Sequence, residues 1–192
     1  MEFHTARQAW HDAYAFNDRS ADVTQVRVDF GLKDNDWRIV EGIEAGKIQD
    51  AVNRLDPLLK AWGMLAYSHR RVQEDYDRVI DTVHQAYGLL YPGDFVQLGF
   101  RRNVRLLLLM EMALEDKIYN ERNGGKKHKV ADLARGIGVN PSNWSRDWGI
   151  VYERIQRIMD SWPAKSLGKL WPVIHEMQDK RELEREAKYA VI

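Results

Sequence analysis

Apolar residues recur at helical spacing through most of this chain, and the breaks fall where glycine, proline or polar clusters stand. Residues 5–16 set Ala6, Trp10 and Tyr14 on one face, with Ala13 beside them, and predict a short helix ended by a turn over 17–20. Val26, Val28 and Phe30 then alternate with Arg27 and Asp29, a weak strand signal within 23–30. It fits an extended arm, the edge of a small hairpin or irregular chain. Trp37 opens a second short helix to about Ala45, and 48–55 add a helical turn or two. Asp56-Pro57 is a strong restart: an acceptor side chain, then a residue whose φ suits a first helical position. The helix it begins carries Leu58, Leu59, Trp62, Leu65 and Ala66 on one side, to about His69. From 72 to 90, Tyr76, Val79, Ile80, Val83, Ala86, Tyr87 and Leu90 keep the same period. These two helices are expected to pair, and Pro92-Gly93 ends the second.

The longest predicted helix covers about 97–122. Val104 to Leu114 is apolar nearly all round, interrupted only by Arg105 and Glu111, which marks a helix surrounded by others. We expect it to be the central strut of an all-α helical bundle. It ends at Asn123-Gly124-Gly125. Farther on, Leu167, Leu170 and Trp171 form a small apolar cluster, and Pro172 starts a last helix. Past Gln178 that helix is mostly charged, with Leu183, Ala187 and Tyr189 on a thin apolar face that is either solvated or laid against a partner. The expected organisation is an N-terminal segment, 1–46, of unassigned role; a helical core, 47–162; and a helical extension, 163–192.

Within the core, VADLARGIGVNPSNWSRDW, residues 130–148, reads as the heart of a helix-turn-helix DNA-binding unit spanning about 130–160. Ala134 lets a second helix approach closely, and Gly138 supplies a positive φ that side chains resist. Asn140 can accept from free backbone donors of the next helix, whose first residue is Pro141. Projected at about 100° per residue, Trp144, Trp148, Val151, Tyr152, Ile155, Ile158, Met159 and Trp162 share one side. Ser142, Arg146, Gly149 and Glu153 fall opposite, with Asn143 and Ser145 on the flanks. Such units read base edges with the first turns of their second helix, so Ser142, Asn143, Ser145 and Arg146 are the candidate readers. A plain helical corner can show Leu-Ala and Gly-Val at this spacing by chance; agreement of cap, turn and outward Arg favours the DNA reading. One departure from the usual pattern is Asp147, where an apolar anchor is expected, with Trp148 one place later; this predicts a slight rotation of the helix in its seat.

Composition narrows the partners. The chain has 192 residues, enough for one sizeable core, with seven Trp and eight Tyr to fill it. No run of about 18 apolar residues suggests a membrane span, and the start lacks the pattern of a secretory signal. The absence of cysteine excludes disulfides and thiolate zinc sites and fits a cytoplasmic protein. With 29 basic and 29 acidic residues the net charge is zero, so non-specific DNA affinity should be modest. Positive charge gathers locally in Arg122, Lys126, Lys127, Lys129 and Arg135, beside the proposed reading unit. Lys126, Lys127 and Lys129 are the candidate phosphate contacts, against the alternative of a solvated loop. Tight binding is then expected to need a second copy of the chain or a protein partner already on the DNA.

Catalytic patterns fail. His175-Glu176 begins like a zinc-protease helix, but Asp179 stands where the second His is required. His4 and His11 lack a third ligand at a metal-binding spacing. Glu74, Asp75 and Asp77 could serve a magnesium-dependent nuclease, yet on a helix they point apart. We expect no enzyme, no cofactor and no metal site.

Several stretches together resemble a known family, the phage antitermination proteins Q of the cysteine-free type typified by phage 21. They are LLKAWGMLAYS at 58–68, DYDRVIDTVHQAY at 75–87, RLLLLMEMALEDKIYNERNG at 105–124, KVADLARGIGVNPSNWSRDWGIVYERIQRIMDSW at 129–162, and AKSLGKL after it. The resemblance covers about 55–170 and leaves the first 45 residues unmatched. It implies binding to double-stranded DNA near a late promoter in a bacterial host, then loading onto RNA polymerase paused with its sigma factor. It also implies a ring that narrows the RNA exit channel and prevents termination, with nascent RNA and a second copy as further candidate partners. Only Ser142, Asn143, Ser145 and Arg146 can be carried over with precision; Arg101-Arg102 and Lys126-Lys127 are channel candidates by charge alone. The alternative is a conventional helix-turn-helix repressor or activator acting at initiation.

Overall fold

The computed structural model describes residues 5–22, 33–70, 72–96 and 99–189, and these are all-helical, with no strand among them. In chain order the helices are α1 (Ala6–Asp22), α2 (Lys33–Asn53), α3 (Pro57–Tyr67), α4 (Gln73–Leu90), α5 (Pro92–Val96) and α6 (Phe100–Asn123). There follow α7 (Val130–Gly136), a 3₁₀ turn (Pro141–Asn143), α8 (Trp144–Asp147), α9 (Gly149–Met159), α10 (Trp162–Gly168) and α11 (Trp171–Tyr189). The strand signal at 23–30 lies outside the described residues. Among the described residues no helix is long and apolar enough to cross a membrane.

The chain divides into two compact units, one of residues 1–60, 67–70 and 164–192, the other of 61–66 and 71–163. In the first, α1, α2 and α11 pack on one another. Ala6, Ala9, Trp10 and Ala13 of α1, Ala45, Ile48 and Val52 of α2, and Ile174 and Met177 of α11 are buried. The Trp10 and Tyr67 rings meet tilted at 59°, with centroids 5.6 Å apart. The Arg181 guanidinium forks onto the buried Glu44 carboxylate, with Nε to Oε1 at 2.9 Å, and so ties α11 to α2. Two expectations are corrected in this unit. The turn over 17–20 is helical, because Asn, Asp, Arg and Ser disfavour a helix only mildly. The separate pieces around 37–45 and 48–55 are one helix, α2, which runs through Gly46 and hence across the expected 46/47 boundary. A lone glycine costs only about 1 kcal/mol in a helix, and the buried stripe Ala45, Ile48 and Val52 outweighs it.

In the second unit α6 packs against α4, α7 and α9, and α4 also packs against α9 and α5. Val79, Val83 and Tyr87 from α4, Leu106, Leu109, Met110, Ala113 and Leu114 from α6, and Ile155 and Met159 from α9 are among its buried residues. The α4 helix therefore finds its chief partners in α6 and α9 rather than in α3. Enclosure of α6 is one-sided: Val104, Leu107 and Leu108 stay about 40% exposed. The near-continuous apolar run overstates what its neighbours cover. At the start of α3 the Asp56 carboxylate accepts from the Leu58 N–H at 2.9 Å, the cap read from the sequence.

Candidate nucleic-acid interface

The segment ahead of α7 is shaped by two acidic residues of α6. Asp116 continues the buried row Leu109 and Ala113, and it is itself only 3% exposed. Its carboxyl accepts from the His128 backbone N–H at 2.7 Å and from the Tyr152 hydroxyl at 2.7 Å, which joins this segment to α9. Burial and this carboxyl together push the Tyr152 hydroxyl well above its ordinary pKa, so the phenol keeps its proton and donates it. One residue earlier, Glu115 takes Lys127 Nζ and stands 3.1 Å from His128 Nε2. Burial pushes the Glu115 carboxyl up, but these two partners outweigh it and leave it below the usual range. The Lys129 N–H then donates to Asp132, which also pairs with Arg135 at 3.2 Å.

The α7 helix buries Leu133 and Ala134 and stops in a two-bond C-terminal turn. Gly138 N–H donates to Arg135 C=O at 3.0 Å, and Val139 N–H donates to Ala134 C=O at 2.9 Å. Gly138 has φ +66°, the left-handed conformation that this turn demands. Arg105 of α6 reaches the Gly138 carbonyl at 3.1 Å and holds the turn from outside. Asn140 Oδ1 then accepts from the Ser142 N–H at 3.1 Å, with Pro141 at the first position of the following turn.

Beyond Pro141 the chain departs from the single continuous helix expected. It forms the 3₁₀ turn, then α8, and breaks at Trp148, where φ is −129° and ψ −21°. Gly149, a poor helix former, follows directly and supplies a reason for the break. The hydrogen-bond ladder bridges the gap, because Trp148 N–H bonds Trp144 C=O and Tyr152 N–H bonds Trp148 C=O, each at 2.9 Å. The apolar face thus survives: Trp144, Trp148, Val151, Tyr152, Ile155, Met159 and Trp162 are all buried, and Ile158 is half-buried.

Ser142, Asn143, Ser145 and Arg146 are all exposed, on the side away from the tryptophans. Arg146 forks onto its neighbour Asp147, Nε to Oδ1 at 2.7 Å and Nη2 to Oδ2 at 2.8 Å. The pairing raises the guanidinium pKa and holds the carboxyl below its usual range. A guanidinium clasped by that edge keeps its opposite Nη1/Nη2 edge open for a second planar acceptor. Of the basic candidates, Lys126 lies over the Tyr152 ring at 5.6 Å, Lys127 is paired with Glu115, and Lys129 is exposed at the start of α7. Arg122, part of the same basic cluster, donates to the Leu65 and Ala66 carbonyls and closes the end of α3.

Sequence reasoning missed Asp116 and the Arg105 bond to the turn. The signal for Asp116 was present as a lone acid in register with Leu109 and Ala113. Among the described residues no three His, Asp or Glu side chains gather in a group able to hold a metal ion. Comparison with protein-family models, with curated proteins and with solved structures gave no match.

Proposed function

We propose that α7, the Gly138 turn and the stretch from Pro141 into α9 act as a DNA-reading helix-turn-helix seated on α6. In this reading Ser142, Asn143, Ser145 and Arg146 meet base edges, while Lys126, Lys127 and Lys129 meet backbone phosphates. The observation that carries it is the division of the 141–148 stretch. Four polar side chains are exposed there on one side, and two buried tryptophans hold the other. Asp147 fits as a brace that presents Arg146 to a guanine, whose O6 and N7 match the open guanidinium edge.

The resemblance over 55–170 extends the proposal to a transcription antiterminator. The chain binds a promoter-proximal element, joins paused RNA polymerase and travels with it, acting by contact rather than by catalysis. DNA footprinting beside the protein's own gene tests the first step. Arg146→Ala should cost about 1–3 kcal/mol at the protected site and little on random duplex, whereas Lys127→Ala should weaken both alike. Equal losses on both DNAs for Arg146→Ala would remove the base-reading role.

A further inference from the structure

Next to the reading stretch lies an open cleft of about 660 Å³, lined by Phe100, Arg101, Arg102 and Arg105 of α6 and by Asp147 and Trp148. Its charge is lopsided, three guanidinium groups against one carboxylate. Arg105 is also bonded to the Gly138 carbonyl of the turn. Arg102 lies 5.8 Å from the Trp148 ring centre. Arg101 and Arg102 are exposed. The acid of the cleft, Asp147, is engaged at both oxygens by Arg146, and the charge of Arg102 also acts on it.

The arrangement follows from where two local patterns meet. The first turns of α6 place Arg101, Arg102 and Arg105 at i, i+1 and i+4, so Arg101 and Arg105 share a face with Arg102 beside them. The break at Trp148 sets Asp147 and Trp148 against that face. Asp147 both lines this cleft and clasps Arg146, so the cleft adjoins one of the proposed readers. For duplex DNA the group at the edge of a base contact is a backbone phosphate, which matches arginine in charge and in hydrogen-bond geometry.

We propose that this cleft is a phosphate-binding subsite for the DNA backbone, and that Asp147 is its built-in counter-ion. The proposal rests on the DNA-reading function above and adds a second row of phosphate contacts, apart from the lysines around α7. It also assigns Asp147 a part in specificity. By partly neutralising the cleft it weakens attachment to random duplex, while its fork keeps Arg146 aimed at a base. A zero net charge then serves discrimination, because little attraction remains until the correct site engages Arg146.

Fluorescence anisotropy across a salt series tests this, with three probes: a duplex from the DNA flanking the protein's gene, a random duplex, and one strand of it unpaired. The Arg101→Ala/Arg102→Ala double variant should lose affinity for both duplexes in the same proportion. Its slope of log affinity against log salt should fall by roughly 2, one for each phosphate released. The corresponding double Lys variant should keep the slope. Asp147→Asn should bind random duplex several-fold more tightly and lose preference for the flanking site. Thermal melting of each variant separates these effects from folding.

An unchanged slope in the Ala double variant, with the wild type binding duplex, would overturn the cleft while leaving the reading function standing. A loss confined to the unpaired strand would overturn it in favour of a single-strand site. Unchanged random-duplex affinity in Asp147→Asn would remove the counter-ion role. A wild-type chain that binds neither duplex would remove both the cleft and the reading function.

Discussion

Ahead of the Gly138 turn the chain is tied to α6 by polar bonds, whereas the 141–148 stretch just beyond it is held by apolar bulk. Asp116, buried, fixes the His128 N–H and the Tyr152 hydroxyl, and Glu115 gathers Lys127 and His128. Past the turn, Trp144 and Trp148 are buried, and Ser142, Asn143, Ser145 and Arg146 are exposed. A directional hydrogen bond fixes where a backbone lies, whereas a buried indole supplies stability with less demand on direction. The contrast assigns the first region the work of placing the module and the second the work of presenting it. Any surface built this way needs its exposed polar groups left out of the structural bonds, as Ser145 and Arg146 are, apart from the Asp147 brace and the Asn140 cap.

Trp148→Ala should have the largest effect on stability. Deleting a buried aromatic typically costs about 3–5 kcal/mol, and denaturant unfolding should show it. Asp116→Ala is the matching change ahead of the turn. It leaves the Tyr152 hydroxyl and the His128 N–H without their acceptor, for about 2–4 kcal/mol in the same assay. Hydrogen exchange should then speed at His128. Gly138→Ala meets no crowding, so only its positive φ opposes it, at roughly 1–2 kcal/mol. Asn140→Ala removes one cap bond and should cost about 1 kcal/mol.

The smallest effect concerns acid. Glu115 titrates lower in the folded chain than in the unfolded one, so its contribution is complete above the unfolded pKa and is lost as pH falls through the folded value. Because the pair with Lys127 is close to half-exposed, it is worth under about 1 kcal/mol. Glu115→Gln should therefore lower stability slightly at neutral pH and flatten the loss on the acid side, as melting temperatures across pH 3–7 would record, a window of roughly that breadth around the carboxylate range.

The parts that local chemistry decides were legible from the residues. Gly138, Asn140-Pro141 and Asp56-Pro57 each dictate a turn or cap through their own backbone preferences, and each stands in the structure where it was read. The tryptophan face was legible because helical periodicity survives the break at Trp148. Long-range pairings were not. Arg181 meets Glu44, and Arg122 meets the Leu65 carbonyl, across long stretches of intervening chain. A charge on an exposed helix reads the same whether it ends in water or on a carbonyl. The break itself is local, yet periodicity treats Gly149 as one position on a face and is blind to it as a weak point in the helix. The candidate readers were legible as a face; the Asp147 fork and the arginine cleft needed the fold.

The central proposal is that the chain modifies elongation after binding DNA. Single-round transcription on a template carrying the DNA flanking this protein's gene, with a terminator downstream, tests it most directly. The account predicts that full-length transcript rises with added protein and falls again with Arg146→Ala. A change in the number of initiated transcripts, with readthrough unaltered, would contradict it and mark the chain as a regulator of initiation.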